Sequence, residues 1–439
     1  MWTNPVLVSV LVMVGLCLVK LNVLLALILA ALAGGLLAGM PLGEVMSVLV
    51  GGMGGNSETA LSYILLGALA FAFNKTGVAE LLVKRLVTWI KGRGTVLVGA
   101  IAFVSCFSQN LIPVHIAFIP ILIPPLLKLM DSLEIDRRAV ACALTFGVKA
   151  PYVALPIGYG LIFHNIIRDQ MIANGMPVAT QDIWPVMWFP GLAMLIGLLI
   201  AMFWTYRKPR SYDYVAGSAE AVVAATSQGE VAQFNKDHLA AILGGVVALV
   251  IQLRTGSLPL GATIGLAIMW VAGAIKWSDF DELIDNGIGM MGFIAFVMLV
   301  AAGYGAVIRA TGGVEQLVQA TVGLMGGSKA IAAFLMLFIG LVITMGIGTS
   351  FGTIPVIAAI YVPLAATMGF SPAATILIIG VAGALGDAGS PASDSTLGPT
   401  AGLNADGKHD HIWDTCVPTF IHFNIPLLIA GVIGAVILG

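Results

Sequence analysis

Residues 76–92 read TGVAELLVKRLVTWIKG, and residues 311–327 read TGGVEQLVQATVGLMGG. The second stretch follows the first by 235 positions, and the register continues on both sides without a gap. Thr76-Gly77 meets Thr311-Gly312, Glu80 meets Glu315, Leu82-Val83 meets Leu317-Val318, Val87 meets Val322 and Gly92 meets Gly327. Upstream, Gly52 and Gly54 meet Gly287 and Gly289; downstream, Pro120 meets Pro355 and Pro156 meets Pro391. The chain therefore reads as two copies of one unit. Internal repeats in a membrane protein point to a solute path between the halves.

Composition supplies the membrane. Of 439 residues, 59% are hydrophobic and 10% charged, against about 25% charged in a soluble domain. The net charge of -2 and the lack of a basic tail give no reason to expect a nucleic-acid partner. The expected partner is the lipid bilayer. Cys17, Cys106, Cys142 and Cys416 fall in or beside apolar segments with no paired spacing, and read as small core residues. The start, Met1-Trp2-Thr3-Asn4-Pro5, has no basic region and no cleavage site follows, so the first apolar stretch reads as a retained span.

A helix needs about 20 apolar residues to cross the hydrocarbon core. The expected spans are 5–19, 22–40, 59–79, 139–164 and 185–205, with counterparts 239–254, 258–275, 287–308, 372–397 and 416–438. Each unit also holds a longer apolar stretch, 95–128 and 330–370, interrupted by polar residues, Gly and Pro. These read as re-entrant helical hairpins, since irregular backbone at that depth needs a cavity or protein around it. Two ordinary spans with a tight turn are the alternative.

Five crossings per unit is an odd number, so the second unit is expected upside down. Segment 80–94 holds Lys84, Arg85, Lys91 and Arg93, whereas 315–329 holds only Lys329. By the positive-inside rule the first faces the cytoplasm and the second the outside. Arg137-Arg138 and the loop at Arg207-Lys208-Pro209-Arg210 then come out cytoplasmic. The expected organisation is a first inverted repeat at 1–205, a cytoplasmic linker at 206–238 that only joins the halves, and a second repeat at 239–439. The expected fold is thus an all-α polytopic membrane protein with two inverted repeats. Each has five spans, a hairpin and one broken helix.

The densest local signal is Gly386-Asp387-Ala388-Gly389-Ser390-Pro391-Ala392-Ser393-Asp394-Ser395-Thr396. Pro and Gly should break the helix there. Freed carbonyls, hydroxyls and a carboxylate can hold a cation, and freed N–H groups an anion. Acids at membrane depth are costly and point to function. Asp394 has the alternative of capping its half-helix. The matching segment, Thr145 to Pro156, keeps the Pro, lacks the acids and adds Lys149. Tyr152 stands opposite Asp387 and Tyr159 opposite Asp394. Lys149 could pair with an Asp, meet a substrate carboxylate, mimic a cation, or snorkel to the surface.

The outer hairpin tip reads Gly346-Ile347-Gly348-Thr349-Ser350-Phe351-Gly352-Thr353, small and rich in hydroxyls. The inner one carries Ser105, Ser108-Gln109-Asn110, Pro113 and His115, whose amides suit a cation or polar solute. His115 could titrate near neutral pH or be structural. Glu58 reads as solvated at the start of its span. His422 and Asn424 are weak candidates to back the second broken helix. His409-Asp410-His411 reads as a solvated turn rather than a metal site. No nucleotide-binding loop is present.

The patterns Gly348-Thr349-Ser350-Phe351-Gly352-Thr353 and Gly386-Asp387-x-x-Ser390-Pro391-x-Ser393-Asp394-x-Thr396 resemble the NhaC-type Na+/H+ antiporter family. There the aromatic of the first pattern is usually Trp; here it is Phe351. The whole chain looks closest to the YuiF-like branch, described as predicted histidine or amino-acid transporters. The resemblance implies the ion-transporter superfamily fold, with arm helices at 80–94 and 315–329, a scaffold, a moving transport domain and a homodimer. By match of motif it implies Thr349, Ser350, Thr353, Asp387, Ser390, Ser393 and Asp394 as site residues. Ser108, Gln109, Asn110 and Lys149 rest on the residues alone.

The function expected is secondary active transport of an amino acid, histidine foremost, coupled to Na+ or H+ across the inner (plasma) membrane. Na+/H+ antiport at Asp387 or Asp394 is the second reading. No cofactor or enzymatic chemistry is expected beyond the coupling ion, with Asp387 and Asp394 as its carboxylates. A passive channel suits the repeats less well.

Overall fold

The structure is a computed structural model. It describes residues 4–19, 21–78, 94–110, 119, 123, 126–212, 234–347, 349–391 and 393–439. All elements among these are helices. The first copy gives α1 (Pro5–Leu18), α2 (Val23–Leu37), α3 (Leu42–Gly52), α4 (Ser57–Lys75), α5 (Gly94–Asn110), α6 (Leu127–Ser132), α7 (Arg137–Ala154), α8 (Tyr159–Ala173) and α9 (Trp184–Ile200). The second gives α10 (Lys236–Thr255), α11 (Leu258–Val271), α12 (Phe280–Ala310), α13 (Gly313–Met325), α14 (Lys329–Ile347), α15 (Ser350–Thr367), α16 (Pro372–Ala384), α17 (Asp394–Leu403) and α18 (Ile425–Leu438).

The register read from sequence recurs in the helices. Starts at Gly94, Arg137 and Tyr159 recur 235 positions later at Lys329, Pro372 and Asp394, and α4 and α12 end at Lys75 and Ala310. Caps recur too. Asp136 accepts from the Arg138 N–H, and its mate Ser371 accepts from the Ala374 N–H, each meeting a donor the helix start leaves free.

The copies differ at one place that sequence reading missed. In the second copy α12 is a single helix of 31 residues. In the first, the same stretch is divided into α3, a 3-10 turn at Met53–Asn56, and α4. Gly51, Gly52, Gly54 and Gly55 crowd that turn, each costing about 1 kcal/mol of helix propensity relative to Ala.

Among the described residues, five helical runs are long and apolar enough to cross a membrane, or six if the α7–α8 pair, bent by 47°, is one span. Among the runs are Thr180–Thr205, Met291–Ala310 and His411–Leu438; the last contains α18 and is widened by π turns at His411–Cys416 and Phe420–Asn424. Leu25, Leu29, Ile196, Leu199, Phe203, Ile429 and Ile433 are exposed on outward faces, as in a protein whose solvent is lipid. The core lies between α4, α7, α8, α12, α15 and α16. α4 and α12 cross backbone to backbone, where a Cβ on Gly287 would meet the Ile64 carbonyl at 2.6 Å.

The linker does more than join the halves. Arg210 donates to Asp414 at 2.9 Å and its N–H to the Glu134 carbonyl at 3.0 Å. The Tyr212 hydroxyl accepts the Arg137 N–H at 3.0 Å, and the Arg137 guanidinium lies over its ring. Residues 213–233 of the expected linker lie outside the described residues, as do 80–93 of the expected first arm and Pro113 and His115 of the expected inner hairpin. α13, which covers most of the expected second arm at 315–329, ends at Met325, before Gly326 and Gly327 at φ 59° and 72°.

Candidate functional site

Two helices break side by side. α7 carries Pro151 and ends at Ala154; the chain turns at Gly158, φ 58°, before α8 starts. α16 ends at Ala384, and α17 starts at Asp394 with Ser393 as its cap; the described residues between them, 385–391, are unwound. Gly386 and Gly389 sit at φ 81° and 109°, where a Cβ would meet the Leu341 carbonyl at 2.5 Å and the Phe420 backbone at 2.8 Å. Only glycine suits both the dihedral and the close approach.

Asp387 lies at the centre of the unwound stretch, 7% exposed. Lys149, 1% exposed on α7, forms an ion pair with its Oδ2. Oδ2 also accepts from the Ser350 hydroxyl at 2.7 Å, the Tyr152 hydroxyl at 3.2 Å and the Ser350 N–H at 3.3 Å. Oδ1 accepts from the Ser393 hydroxyl and, at 3.4 Å, from Ser395. Besides the carboxylate, the Lys149 ammonium donates to Tyr152 and Ser350, each at 2.7 Å, so its three donors are all used. Ser350 opens α15, so the positive end of that helix faces the carboxylate.

The unwound backbone is itself supported. Asn424 accepts the Gly386 N–H at 3.0 Å and donates to the Ala388 carbonyl at 2.6 Å. Thr145 of α7 donates to the Ser395 carbonyl at 2.8 Å, and His411 bonds the Pro391 carbonyl at 2.9 Å. The Asn424 and Thr145 bonds are buried, where no water would replace them; the His411 bond is exposed.

The structure thus brings together Lys149, Ser350, Asp387 and Ser393 from the expected set. Ser390 is buried and faces the Met345 carbonyl at 3.4 Å. Thr353 is buried but bonds its own helix at the Thr349 carbonyl, 2.9 Å away, while Thr349 is half-buried at the tip. The side chains of Ser108, Gln109, Asn110 and Asp394 lie outside the described residues; Asp394 is the first residue of α17. Lys149 does not snorkel. Asn424 braces the break, whereas His422 bonds Pro418 and Thr205 instead. His409 is 2% exposed and held by Thr415, so that turn is not simply solvated. No cluster of three or more His, Cys, Asp or Glu suited to a metal occurs among the described residues.

Sequence reading passed over Tyr152 and Ser395 as site residues. The signal for Tyr152 was its place opposite Asp387 in the repeat. That for Ser395 was the hydroxyl run at Ser390, Ser393, Ser395 and Thr396.

Broken helices and a buried charged centre in a multi-pass helical membrane protein define a membrane transporter. The chain belongs to the Na+/H+ antiporter family of NhaC type, in its YuiF-like branch: the sequence model of the Na+/H+ antiporter family matches residues 143–432, and that of a second Na+-H+ antiporter family matches residues 4–90. It is 48% identical over 451 residues to the Bacillus subtilis protein named "Putative amino acid transporter YuiF", covering 99% of this chain and 100% of the relative. It is 49% identical over 448 residues to an uncharacterized membrane protein of Vibrio parahaemolyticus, with coverage of 99% and 100%. Among solved structures it resembles Neisseria gonorrhoeae MtrF, described within a class of antimetabolite efflux pumps, with a TM-score of 0.64, 17% identity and coverage of 91% and 85%. It also resembles the Alcanivorax borkumensis YdaH transporter, with a TM-score of 0.59, 16% identity and coverage of 90% and 88%. At such identities these two likenesses bear on the fold alone.

Proposed function

We propose that the protein is a secondary active transporter that moves an amino acid across the inner membrane by alternating access, coupled to Na+ or H+. The observation that carries this reading is the buried Lys149–Asp387 pair, set between an unwound helix and a hairpin tip. A zwitterion matches it: Asp387 takes the ammonium and Lys149 the carboxylate. Each charge then exchanges one partner for another, and the buried net charge stays at zero. Removing a partner without replacing it would cost about 3–5 kcal/mol. The Bacillus relative's name supports the solute class. Histidine is the first solute to test.

The positive ends of α8, α15 and α17 and the unwound carbonyls near Asp387 would hold the coupling ion and the solute's anionic end. The halves 1–205 and 239–439, inverted in the membrane, would supply the two access states. A homodimer is part of the same proposal.

The second reading is Na+/H+ antiport, favoured by the Lys149 ammonium standing at a carboxylate where Na+ could stand. Purified protein in liposomes distinguishes the two. Uptake of labelled histidine, or of another amino acid in a panel, driven by a Na+ or H+ gradient supports the first. A Na+-driven pH change with no solute and no uptake of any amino acid supports antiport and overturns amino-acid transport.

A further inference from the structure

A small polar cavity lies between α4 and α8, apart from the charged centre. Its walls are Gly55, Glu58, Thr59 and Ser62 on one side and Ile162, Asn165 and Asp169 on the other, with Leu258 of α11 beside them. Its volume is about 20 Å³, room for about one water molecule. The residues of α4 and α8 form one stripe on each helix, and both stripes continue inward. One turn beyond Thr59 stands Tyr63, and one turn before Ile162 stands Tyr159. Their ring centroids are 5.4 Å apart, edge to face. Phe351, from the hairpin tip, closes the triangle at 5.8 Å from Tyr63 and 6.1 Å from Tyr159. All three rings are buried. The residue before Phe351 is Ser350, which is bonded to both Lys149 and Asp387.

We propose that this cavity is the solute's entrance from one face of the membrane, and that Tyr63, Tyr159 and Phe351 form the gate between it and the Lys149–Asp387 centre. At this crossing Thr59 and Ser62 are buried and Asn165 and Asp169 half-buried, while Glu58 stands at the exposed rim. Polar side chains facing a bundle interior mark paths. The wall is fixed rather than loose, since Arg168 donates to Asp169, Asn165 and Thr180. At its present volume the cavity admits no amino acid, so the rings describe a closed gate. Each ring comes from a different helix and is held to the other two by edge contacts. Displacement of α4, α8 or α15 therefore opens the triangle. Thr349, two residues before Phe351, caps α15 with extended backbone, which supplies a pivot. The proposal rests on the reading of the Lys149–Asp387 centre as the solute's station.

The test uses the full chain, with its native cysteines replaced, in oriented liposomes and with a membrane-impermeant thiol reagent. Thr59→Cys should react from one face, and Ser350→Cys should be protected. Adding Phe351→Ala should raise the reaction rate of Ser350→Cys by an order of magnitude from the face at which Thr59→Cys reacts. Phe351→Leu serves in its place if the Ala variant does not run as a single species on size exclusion. The gate is overturned if Ser350→Cys reacts equally with and without the Phe351 ring, or only from the opposite face. The entrance is overturned if Thr59→Cys reacts from neither face. Labelling does not depend on which solute or ion is carried, so these outcomes are separable from failure of the transport reading.

Discussion

Tyr152 and Asp387 occupy the same position in the two copies, and their side chains touch: the Tyr152 hydroxyl donates to the Asp387 carboxylate at 3.2 Å. Two positions related by the repeat meet where the two helix breaks meet. Lys149, whose own mate in the repeat is Ala384, donates to both of them. The asymmetry of the repeat is thus the charged centre itself.

Asp387→Ala and Lys149→Ala should each abolish coupled uptake and each lower stability by about 3–5 kcal/mol, since each strands a buried charge. The double variant Lys149→Met with Asp387→Ala should recover most of the stability and none of the transport. Thermal unfolding in detergent and uptake in liposomes measure the two separately. Normal uptake by either single variant would sink the assignment.

Asn424→Ala removes both bonds that fasten the unwound stretch at Gly386 and Ala388. An unpaired buried polar group costs about 1–3 kcal/mol, so the variant should melt earlier and carry solute more slowly. Asn424→Gln should restore neither fully, because its amide stands one methylene further out. Wild-type melting and uptake in Asn424→Ala would show that the brace is dispensable.

Arg137, fully buried, pairs with Asp131 and Asp406 at 3.0 and 2.6 Å and donates to the Leu403 carbonyl. Burial alone would push the Asp406 carboxyl up, but the Arg137 hydrogen bonds and charge outweigh it and hold the group below its ordinary value. A depressed folded pKa adds stability that is present above the unfolded pKa and disappears as pH falls through the folded one. Melting temperature should therefore drop on acidification. Asp406→Asn should melt lower than wild type at neutral pH, and the two should converge in acid. Parallel curves at all pH values would contradict this.

Gly43 and Ser278 are mates in the repeat, and both are exposed. If the halves are inverted, Gly43→Cys and Ser278→Cys should react with an impermeant thiol reagent from opposite faces of the membrane. Reaction of both from one face would rule out the inversion.

Much of this was legible without coordinates. Hydropathy, a 235-residue register and the Gly-Pro punctuation at 386–391 determined a duplicated, all-helical membrane protein and placed its helix breaks. They do so because spans, breaks and caps are local: each depends on residues within a few turns. The division of α3 from α4 escaped because four glycines in a row of five lower helix propensity without announcing where the chain will turn.

Only the tertiary structure decided what the charged residues are for. Lys149 and Asp387 stand 238 residues apart, and nothing local distinguishes a lysine that pairs from one that snorkels. Thr353 and Ser350 lie in one motif, yet the pitch of α15 turns Ser350 to the carboxylate and Thr353 back onto its own helix. A helix fixes which way each side chain points, but which of those directions meets a charge depends on how separate helices pack.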